Sequence, residues 1–597
     1  MAAGLLLAVW AAFGATASIS PETYLDDVRY LASPEMKGRG TGTPELEKAA
    51  SYIAARFHEF GLRPIDGHSY LQAFQVTTNA RLGRSNHFQF SVEGHHTTLV
   101  AQENFIPFNF SAAGKLAGPV VFAGYGITAP EYGYDDYAGL DVKDRIVVVL
   151  RYEPESFAAK SGNQGLTQHS HLITKAINAR NHGAKAVILV NGKLPEGEED
   201  TLLRFGGVSG PEDVGTLLLQ VKNSTAESWF KDAGKSLADV QQEINHLGKP
   251  ASFAFPETLQ VSGKIDIEQT HARVNNVLAY LPGKTDQYII IGAHYDHLGR
   301  GDSNSLAPSQ IGQIHPGADD NASGTAGVLE LARMFAPLKG KLDRGILFAS
   351  FSGEELGLLG SAEWVKEPTL PLDKCIAMLN MDMIGRIKDN KVYIGGVGTG
   401  STFKADLEQA EKASQSGFKF EYSAGGYSAS DHTSFVAKKV PVLFFFSGLH
   451  ADYHKPSDTW DKINAPSAAQ LLDMISEVAM ELITAKAPPT FITVAEDKPI
   501  GGISGGGGGY GPYFGSIPDF GEVKDGVRFS DIRPGSPAAK AGLKAGDILV
   551  QFGDKPIHNL YDFTDALRRS KVGQVVEVKV LRDGQPITVS VKLEQRK

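Results

Sequence analysis

The chain has 597 residues, of which 42% are hydrophobic and 21% are charged, close to the average for soluble globular proteins. At roughly 150 residues per domain, this length predicts several domains. The net charge of -10 argues against nucleic acid as a partner, since binding it takes clustered positive charge. Cys375 is the single cysteine, so a metal site would have to be built from histidine, aspartate and glutamate.

The N-terminal residues 1–17 read MAAGLLLAVWAAFGATA, an apolar run shorter than the roughly 20 residues that span a membrane. Ala15 and Ala17 form the A-x-A pattern that precedes the cleavage site of a secretory signal. The positive charge usual before the apolar run is missing, so an uncleaved anchor is the alternative. We expect a signal peptide, a secreted or periplasmic protein, and no membrane contact after signal removal.

Two regions of different pattern follow the signal. Helices are predicted from Ser20-Pro21-Glu22 onward and over 44–60, where proline occupies the first turn. Residues 115–262 instead show short β-rich runs such as GPVVFAGYG and RIVVVLRY, with one helix predicted over 173–182. This second region is predicted to be a β-rich module with a helix or two.

From Asn275 onward, apolar strands alternate with helices. The strands are predicted in NNVLAYL, YIIIGAHYD, GILFASF, CIAMLNMD and PVLFFFSG. Nearly continuous apolar strands of this kind are buried on both faces, which predicts an α/β fold with a mostly parallel mixed sheet sandwiched by helices. Such sheets bind ligands at the carboxyl ends of their strands.

A glycine-rich stretch divides the C-terminal part of the chain. Residues 486–510 contain the run GGISGGGGG, which behaves as a flexible coil because glycine has no side chain to bury. We expect a linker there and a separate module over 511–597.

The predicted strand ends carry acidic and imidazole side chains. His294 and Asp296 end one strand at an i, i+2 spacing, which places both on one face. Asp319 and Asp320 open a helix in GADDNASG, where the helix dipole favours negative charge. Three further acids stand in apolar surroundings that call for a cation or a shared proton: Glu354, Glu355 and Asp382.

The loop ADYHKPSDTWD completes the candidate set with Tyr453, His454 and Asp458. His450 lies four residues earlier, and spacing alone does not decide between the two histidines. Nitrogen and oxygen ligands of this kind suit zinc, cobalt or manganese. Five of these side chains acting as ligands would be more than the four that one tetrahedral zinc takes, so a pair of metals is the simplest interpretation.

This ordered set resembles the co-catalytic zinc aminopeptidases, the bacterial leucyl-type exopeptidases related to glutamate carboxypeptidase. The resemblance covers residues 20–112 and 265–485 and includes the loop LASPEMKGRGTGTPE. It implies the zinc exopeptidase fold and two Zn²⁺ per chain. The metal ligands that it implies are His294, Asp320, Glu355, Asp382 and His454.

The resemblance also assigns a role to each residue. Asp320, three residues before Ser323 as in the family, would bridge the metals in preference to Asp319. His294 and Asp382 would complete one metal, and Glu355 and His454 the other. The predicted catalytic residues are Glu354 as general base, Asp296, which would orient His294 through its ring N–H, and Tyr453, which would stabilise the oxyanion. Asp431 and His432 in SASDHTSF are not expected to be ligands.

Two more resemblances complete the predicted organisation. Residues 113–264 resemble an inserted protease-associated domain, and 511–597 resemble a PDZ domain whose loop GPYFGSI would bind a peptide C-terminus. A PDZ module with an unused groove is the alternative. The predicted peptidase domain is then 18–112 together with 265–485. Four histidines in or near the predicted insert are expected on the surface: His95, His96, His169 and His171.

The sequence therefore predicts an exported dinuclear zinc aminopeptidase acting on peptides with a free N-terminus. Three alternatives are a carboxypeptidase, a glutaminyl cyclase on the same fold, and a non-catalytic peptide-binding protein. A carboxypeptidase would need a cation for the substrate carboxylate, and Arg386 is the candidate near a ligand. The intact pair Glu354-Glu355 argues against a non-catalytic protein.

Overall fold

The computed structural model describes residues 18–161, 166–193, 199–203, 205, 213–301, 304–494, 511–518, 523 and 525–595. The predicted signal over 1–17 and the glycine-rich run up to residue 510 lie outside these described residues. Within the described ranges, no helix is both long enough and apolar enough to cross a membrane.

The helices begin where capping residues allow it. Ser20 Oγ accepts a hydrogen bond from Thr23 N at 3.2 Å, and Thr43 Oγ1 accepts one from Leu46 N at 3.3 Å, each with proline as the next residue. The described α-helices are α1 (Pro21–Leu31), α2 (Pro44–Glu59), α3 (Ser156–Ser161), α4 (Leu172–Asn181), α5 (Asn223–Asp232), α6 (Leu237–Leu247), α7 (Gly324–Phe335), α8 (Leu359–Lys366), α9 (Phe403–Ser414), α10 (His432–Val436), α11 (Ala465–Thr484), α12 (Pro537–Lys540) and α13 (Leu560–Arg569).

The described strands alternate with these helices over most of the chain. The first are β1 (Arg63–Pro64), β2 (Leu71–Leu82), β3 (His87–Val92), β4 (His95–Leu99), β5 (Phe105–Pro107), β6 (Gly114–Phe122), β7 (Thr128–Ala129) and β8 (Tyr134–Asp135). Next come β9 (Ile146–Leu150), β10 (Ala186–Val190), β11 (Leu217–Val221), β12 (Phe253–Ala254), β13 (Gln260–Ile265), β14 (Ile267–Leu281), β15 (Tyr288–His294) and β16 (Gly345–Phe351). The last are β17 (Cys375–Met381), β18 (Lys391–Gly395), β19 (Lys419–Tyr422), β20 (Val442–Phe446), β21 (Ser516–Pro518), β22 (Val527–Ile532), β23 (Ile548–Phe552), β24 (Lys555–Pro556), β25 (Val575–Arg582) and β26 (Gln585–Lys592).

The α/β domain is built on a mixed sheet with the order β1-β14-β16-β15-β17-β20-β18-β19, and β2 also pairs with β14. Its central strands β16, β15, β17 and β20 run parallel and are buried throughout. Alternate residues of these strands pack against α1, α2, α7, α9 and α11 on one face and against α8 and α10 on the other. The predicted α/β fold with helices on both faces of a mixed sheet is confirmed, and the parallel pairing includes the four central strands.

The inserted domain occupies the loop of a β-hairpin. β2 and β14 pair antiparallel up to Leu82 and Ile267, and Gly83 N donates to Asp266 O at 2.8 Å. The chain between them forms the sheet β4-β3-β13-β6-β9-β10-β11-β5, with β12 paired to β6. The predicted start of the insert at residue 113 is wrong, because the strands over 87–107 belong to this sheet and bury Phe88 in its core.

The C-terminal domain is a small β-rich unit with the sheet β21-β22-β23-β25-β26, and β24 pairs with β23. Phe514, Phe529 and Phe563 lie in its core. The predicted linker begins later than residue 486, because Thr490 N donates to Ser401 Oγ at 2.9 Å and Ile492 N to Thr399 O at 2.8 Å. Backbone contacts thus hold this stretch on the α/β domain.

Helix α13 of the C-terminal domain docks on helix α4 of the insert. Thr174 Oγ1 donates to Asp565 Oδ1 at 2.9 Å, and Arg569 Nη2 donates to Asn178 Oδ1 at 2.9 Å. Arg180 forms an ion pair with Asp562. A polar interface of this kind fixes the orientation of the two domains through directed hydrogen bonds.

Replacing Asp562 by alanine is expected to destabilise the protein by about 3 kcal/mol, since Arg180 would keep a largely buried charge without its carboxylate. Urea unfolding followed by fluorescence measures this change. Asp554→Ala, which removes an exposed carboxylate of the same domain, is the matched control and should leave the free energy of unfolding unchanged. Equal stabilities of the two variants would contradict a contribution from the docked pair.

Candidate active site

Neighbouring parallel strands bring the predicted site residues to one edge of the sheet. Because β16, β15, β17 and β20 are adjacent and parallel, their carboxyl ends meet there. Each of these strands is followed by at least one predicted residue, and the turn Ala318–Ser323 before α7 adds another. In chain order these residues are His294, Asp296, Asp320, Glu354, Glu355, Asp382, Tyr453 and His454.

Within the described part of the chain, a first group of side chains surrounds His294. Its Nε2 lies 3.4 Å from Asp382 Oδ1 and 3.4 Å from Asp320 Oδ1. Glu354 Oε2 is farther away, at 3.9 Å from the same nitrogen. His294, Asp382 and Glu354 could together hold a metal ion.

A second group lies on the other side of Asp320. His454 Nε2 is 3.2 Å from Asp320 Oδ2 and 3.3 Å from Glu355 Oε2. Asp320 therefore presents one oxygen to His294 and the other to His454. A carboxylate in this position can serve both groups at once.

These separations are those expected of metal ligands. Two ligands held 2.0–2.2 Å from one tetrahedral zinc are about 3.3–3.6 Å apart. The distances around Asp320 agree with this value, whereas Glu354 at 3.9 Å from His294 lies beyond it. Asp382 Oδ1, moreover, is buried and has no hydrogen-bond partner among the described residues. The nitrogen and oxygen donors at this edge thus fit zinc, and the individual roles remain predictions.

Burial and mutual repulsion set the protonation of the acids. Burial, with Glu355 and Asp382 nearby, raises the pKa of Glu354 well above its usual range. Burial also acts to raise the pKa of Glu355. The neighbouring His454 and His297 have the larger effect and hold the pKa of that carboxyl well below its usual range. Burial alone would lower the pKa of His454. The negative charges of Glu355 and Asp320 have the larger effect and raise this pKa to about 12. Of these two neighbouring acids, Glu354 therefore binds a proton more readily than Glu355 does.

The carboxylate of Asp296 binds a turn, while its main-chain oxygen faces the ring of His294. His294 Nδ1 lies 3.2 Å from the main-chain oxygen of Asp296, while the nearest carboxylate oxygen of Asp296 is 3.8 Å away. That carboxylate accepts hydrogen bonds from Thr41 Oγ1 at 2.8 Å and from Glu354 N at 3.1 Å. The ring nitrogen of His294 thus faces the main-chain oxygen of Asp296, and the orienting role of Asp296 stays a prediction. The side chain of Asp296 fixes the turn that carries Glu354.

Two residues that are neither predicted ligands nor predicted catalytic residues support the loop of Asp320. Asp458 Oδ2 accepts hydrogen bonds from Asp319 N at 2.9 Å and from Asp320 N at 3.1 Å. The fully buried Arg39 donates to four main-chain oxygens, including that of Gly317 at 2.9 Å. Arg39 belongs to the loop LASPEMKGRGTGTPE, on which the family resemblance partly rests. The hydrogen bonds of its buried guanidinium connect this loop to the loop of Asp320.

Asp319 and His450, the alternatives to Asp320 and His454, lie together beside the two groups of predicted ligands. His450 Nε2 is 3.1 Å from Asp319 Oδ2, and Asp319 Oδ1 accepts from Gly385 N at 2.7 Å. Asp319 and His450 thus pair with each other, while Asp320 and His454 face the two groups. His454 Nδ1 lies 2.9 Å from Asn304 O, which leaves Nε2 turned to Asp320.

The remaining predicted residues line the site. The ring of Tyr453 stacks on that of His454 at 3.9 Å, and burial raises the pKa of its hydroxyl, so it stays protonated. His432 stacks on Phe444 at 4.4 Å, and burial lowers its pKa to about 3. His432 is thus held against Phe444 and is hydrogen-bonded to Ser428 at 2.8 Å.

His297 is not among the residues predicted from the sequence, yet it lies in the cluster. Its Nδ1 is 2.6 Å from Glu355 Oε1 and 3.9 Å from Asp320 Oδ2. The motif H-Y-D-H contains it, but the two-residue period of a strand separates it from His294 and Asp296. Because β15 ends at His294, that period no longer applies at His297.

The histidines of the insert divide between surface and interior. His95, His96 and His171 are exposed, as expected. His169 is buried, and its Nε2 lies 2.9 Å from Glu131 Oε1. The expectation of a surface position is wrong for His169, because an ion pair compensates the burial of its ring.

Comparisons with known proteins find matches to three parts of the chain. Residues 276–479 match the family described as Peptidase family M28, 116–226 match the PA domain, and 518–593 match the PDZ domain. The solved aminopeptidase from Aneurinibacillus sp. strain AM-1 aligns with 81% of this chain and 98% of its own, at 23% identity and a TM-score of 0.47.

Two curated relatives are named aminopeptidases. Aminopeptidase YwaD of Bacillus subtilis strain 168 is 26% identical over 389 residues, which is 62% of this chain and 70% of that protein. A probable leucine aminopeptidase of Arthroderma otae is 30% identical over 217 residues, or 35% of this chain and 57% of its own length. The predicted family and its accompanying domains are confirmed. These matches assign residues 276–479 to peptidase family M28, and the same chain carries a PA domain and a PDZ domain.

Proposed function

We propose that the protein is an exported aminopeptidase that holds two Zn²⁺ per chain and hydrolyses the N-terminal peptide bond of peptides. The position of Asp320 carries this proposal, since its Oδ1 lies 3.4 Å from His294 Nε2 and its Oδ2 lies 3.2 Å from His454 Nε2. A carboxylate shared in this way is the natural bridge of a paired metal site. The aminopeptidase names of the two curated relatives support the substrate class.

The proposed ligand roles divide the residues between the two metals. His294 and Asp382 would hold one zinc, Glu355 and His454 the other, and Asp320 both. Bound zinc would acidify a water molecule and polarise the carbonyl of the substrate.

Glu354 is the proton carrier in this proposal. It stands 3.9 Å from His294 Nε2, close to the ligands but beyond ligand distance. Burial raises its pKa, which brings a carboxylate nearer to the pH at which it can both accept and return a proton. Glu354 would take the proton of the attacking water and give it to the leaving amine.

Tyr453 would stabilise the oxyanion. Its hydroxyl stays protonated and can donate a hydrogen bond, because burial and the nearby Asp320 raise its pKa. Stacking on His454 fixes the ring beside the ligands.

The structure gives a carboxypeptidase less support. Arg386 Nη1 and Nη2 both lie 3.2 Å from Asp452 Oδ2, and Lys462 Nζ lies 2.8 Å from Asp452 Oδ1. Since Asp452 already neutralises Arg386, this guanidinium is not free to receive a substrate carboxylate. An aminopeptidase needs no such cation.

For export we propose the signal peptide of residues 1–17, with the mature protein secreted or periplasmic. For the PDZ domain we propose capture of a peptide C-terminus. Among the described residues, β21 pairs with β22 alone, so its outer edge is open for an added strand. Phe514 in the predicted carboxylate loop packs on Phe563 of α13 at 5.4 Å, so the loop and the helix adjoin, and in this proposal they form the two walls of the peptide groove.

Glu354→Gln is expected to lower kcat at least about 100-fold, since it removes the group that moves the proton. Two peptides of identical sequence, one with a free N-terminus and one acetylated, are incubated with zinc-loaded protein and followed by mass spectrometry. Stepwise loss from the free N-terminus alone is the expected result. Glu367→Gln, an exposed glutamate after α8, is the matched control. C-terminal trimming of both peptides would contradict an aminopeptidase.

Zinc is expected to raise the midpoint of thermal unfolding, because binding to the folded state alone adds about 4 kcal/mol at a thousand times Kd. Elemental analysis should find two zinc ions per chain. Asp320→Asn should bind less zinc and show a smaller rise in the midpoint, since the shared carboxylate is gone. Asp373→Asn, at an exposed aspartate, should behave as the unaltered protein. One zinc per chain in the unaltered protein would contradict the paired site.

A peptide with a free C-terminal carboxylate is expected to bind the PDZ domain at least tenfold more tightly than the same peptide with a C-terminal amide. Fluorescence anisotropy with an N-terminally labelled peptide measures this difference, and the Glu354→Gln protein prevents hydrolysis. Equal binding of acid and amide, or no binding of either, would favour a purely structural module.

A further inference from the structure

His297 is a buried histidine that the proposed mechanism does not use. Its side chain is 0% exposed. Its main-chain N donates to Arg39 O at 3.2 Å, so its backbone is fixed to the N-terminal loop. The ring lies close to Gly317, where an added Cβ would come within 2.5 Å of two ring carbons. The imidazole therefore has little room to turn.

The ring nitrogens of His297 have very different surroundings. Nδ1 lies 2.6 Å from Glu355 Oε1, while Nε2 is buried and has no hydrogen-bond partner among the described residues. The other oxygen of Glu355, Oε2, faces His454 Nε2 at 3.3 Å. The two histidines thus divide the carboxylate of Glu355 between them.

The two distances point to different interactions. A separation of 3.3 Å is that of two ligands on one zinc ion, but 2.6 Å is too short for this, because such ligands stand about 3.3–3.6 Å apart. The shorter distance is that of a charge-assisted hydrogen bond. His297, Asp320 and Glu355 lie close enough together to hold an ion, but the short distance favours a direct hydrogen bond between His297 and Glu355.

We infer that His297 is a positioning residue that donates its Nδ1–H to Glu355 Oε1 and so keeps Oε2 turned toward Asp320 and His454. It acts through Glu355 on the second metal of the pair. This inference rests on the proposed dinuclear site.

The test compares His297→Ala with His297→Asn, since the asparagine amide keeps an N–H that can reach Glu355. Zinc affinity is measured by competition with a chromophoric chelator, and the cobalt-substituted proteins are compared by visible absorption. We expect His297→Ala to lose about 10–100-fold in affinity for the second ion while the first is unaffected, as for other residues that orient ligands. His297→Asn should lie within about threefold of the unaltered protein and keep its cobalt spectrum.

His96→Ala, at an exposed histidine of the insert, is the matched control, and thermal unfolding checks that each apoprotein is folded. Unchanged binding in His297→Ala would overturn the inference. Equal losses in both His297 variants, with an altered cobalt spectrum, would overturn it in favour of a direct ligand. If the unaltered protein binds one zinc, the proposed paired site itself fails, and the inference with it.

Discussion

The carboxylate of Asp320 has to face two groups of ligands at once, and much of the surrounding structure supports that placement. Asp458 holds the loop of Asp320 by accepting hydrogen bonds from two successive main-chain N–H groups. Arg39 also holds this loop, because it donates hydrogen bonds to the main-chain oxygens of Pro316 and Gly317 at the start of the loop. Because the N-terminal loop, the central sheet and the last loop of the domain all contribute, the site forms only when the whole domain has folded.

The second requirement is electrostatic. Asp296, Asp320, Glu354, Glu355 and Asp382 are acids crowded at one sheet edge, and leaving them all ionised in a buried place would be costly. The histidines reduce this repulsion unevenly, which is why the pKa of Glu355 falls while that of Glu354 rises. Neighbouring side chains of one type thereby acquire different chemical properties. A metal ligand and a proton carrier can then stand side by side in the sequence.

Much of this arrangement could be predicted from the sequence. Buried parallel strands appear as continuous apolar runs, and whatever follows them must gather at one edge, so Asp320, Glu354, Glu355, Asp382 and the two histidines could be placed without coordinates. What the sequence did not reveal depends on tertiary contacts. His297 stands where the strand has ended, and the turn that the Asp296 side chain holds is distant in sequence.

The domain boundaries failed for a related reason. A strand such as β3 looks the same whichever sheet it joins, and only its pairing with β13 shows that it belongs to the insert. His169 and the stretch near Thr490 are similar cases, since each is held by one partner that lies far along the chain.

The hairpin of β2 and β14 has a consequence for the modular build of the chain. Since Gly83 and Asp266 are hydrogen-bonded to each other, the 182 residues between them (84–265) could be exchanged for a short turn without moving either strand end. Such a junction accepts an inserted domain at little conformational cost to its host, because the ends of the insert are already together. The catalytic framework and its accessory module can therefore diverge independently, apart from the polar contacts that the insert makes with α13.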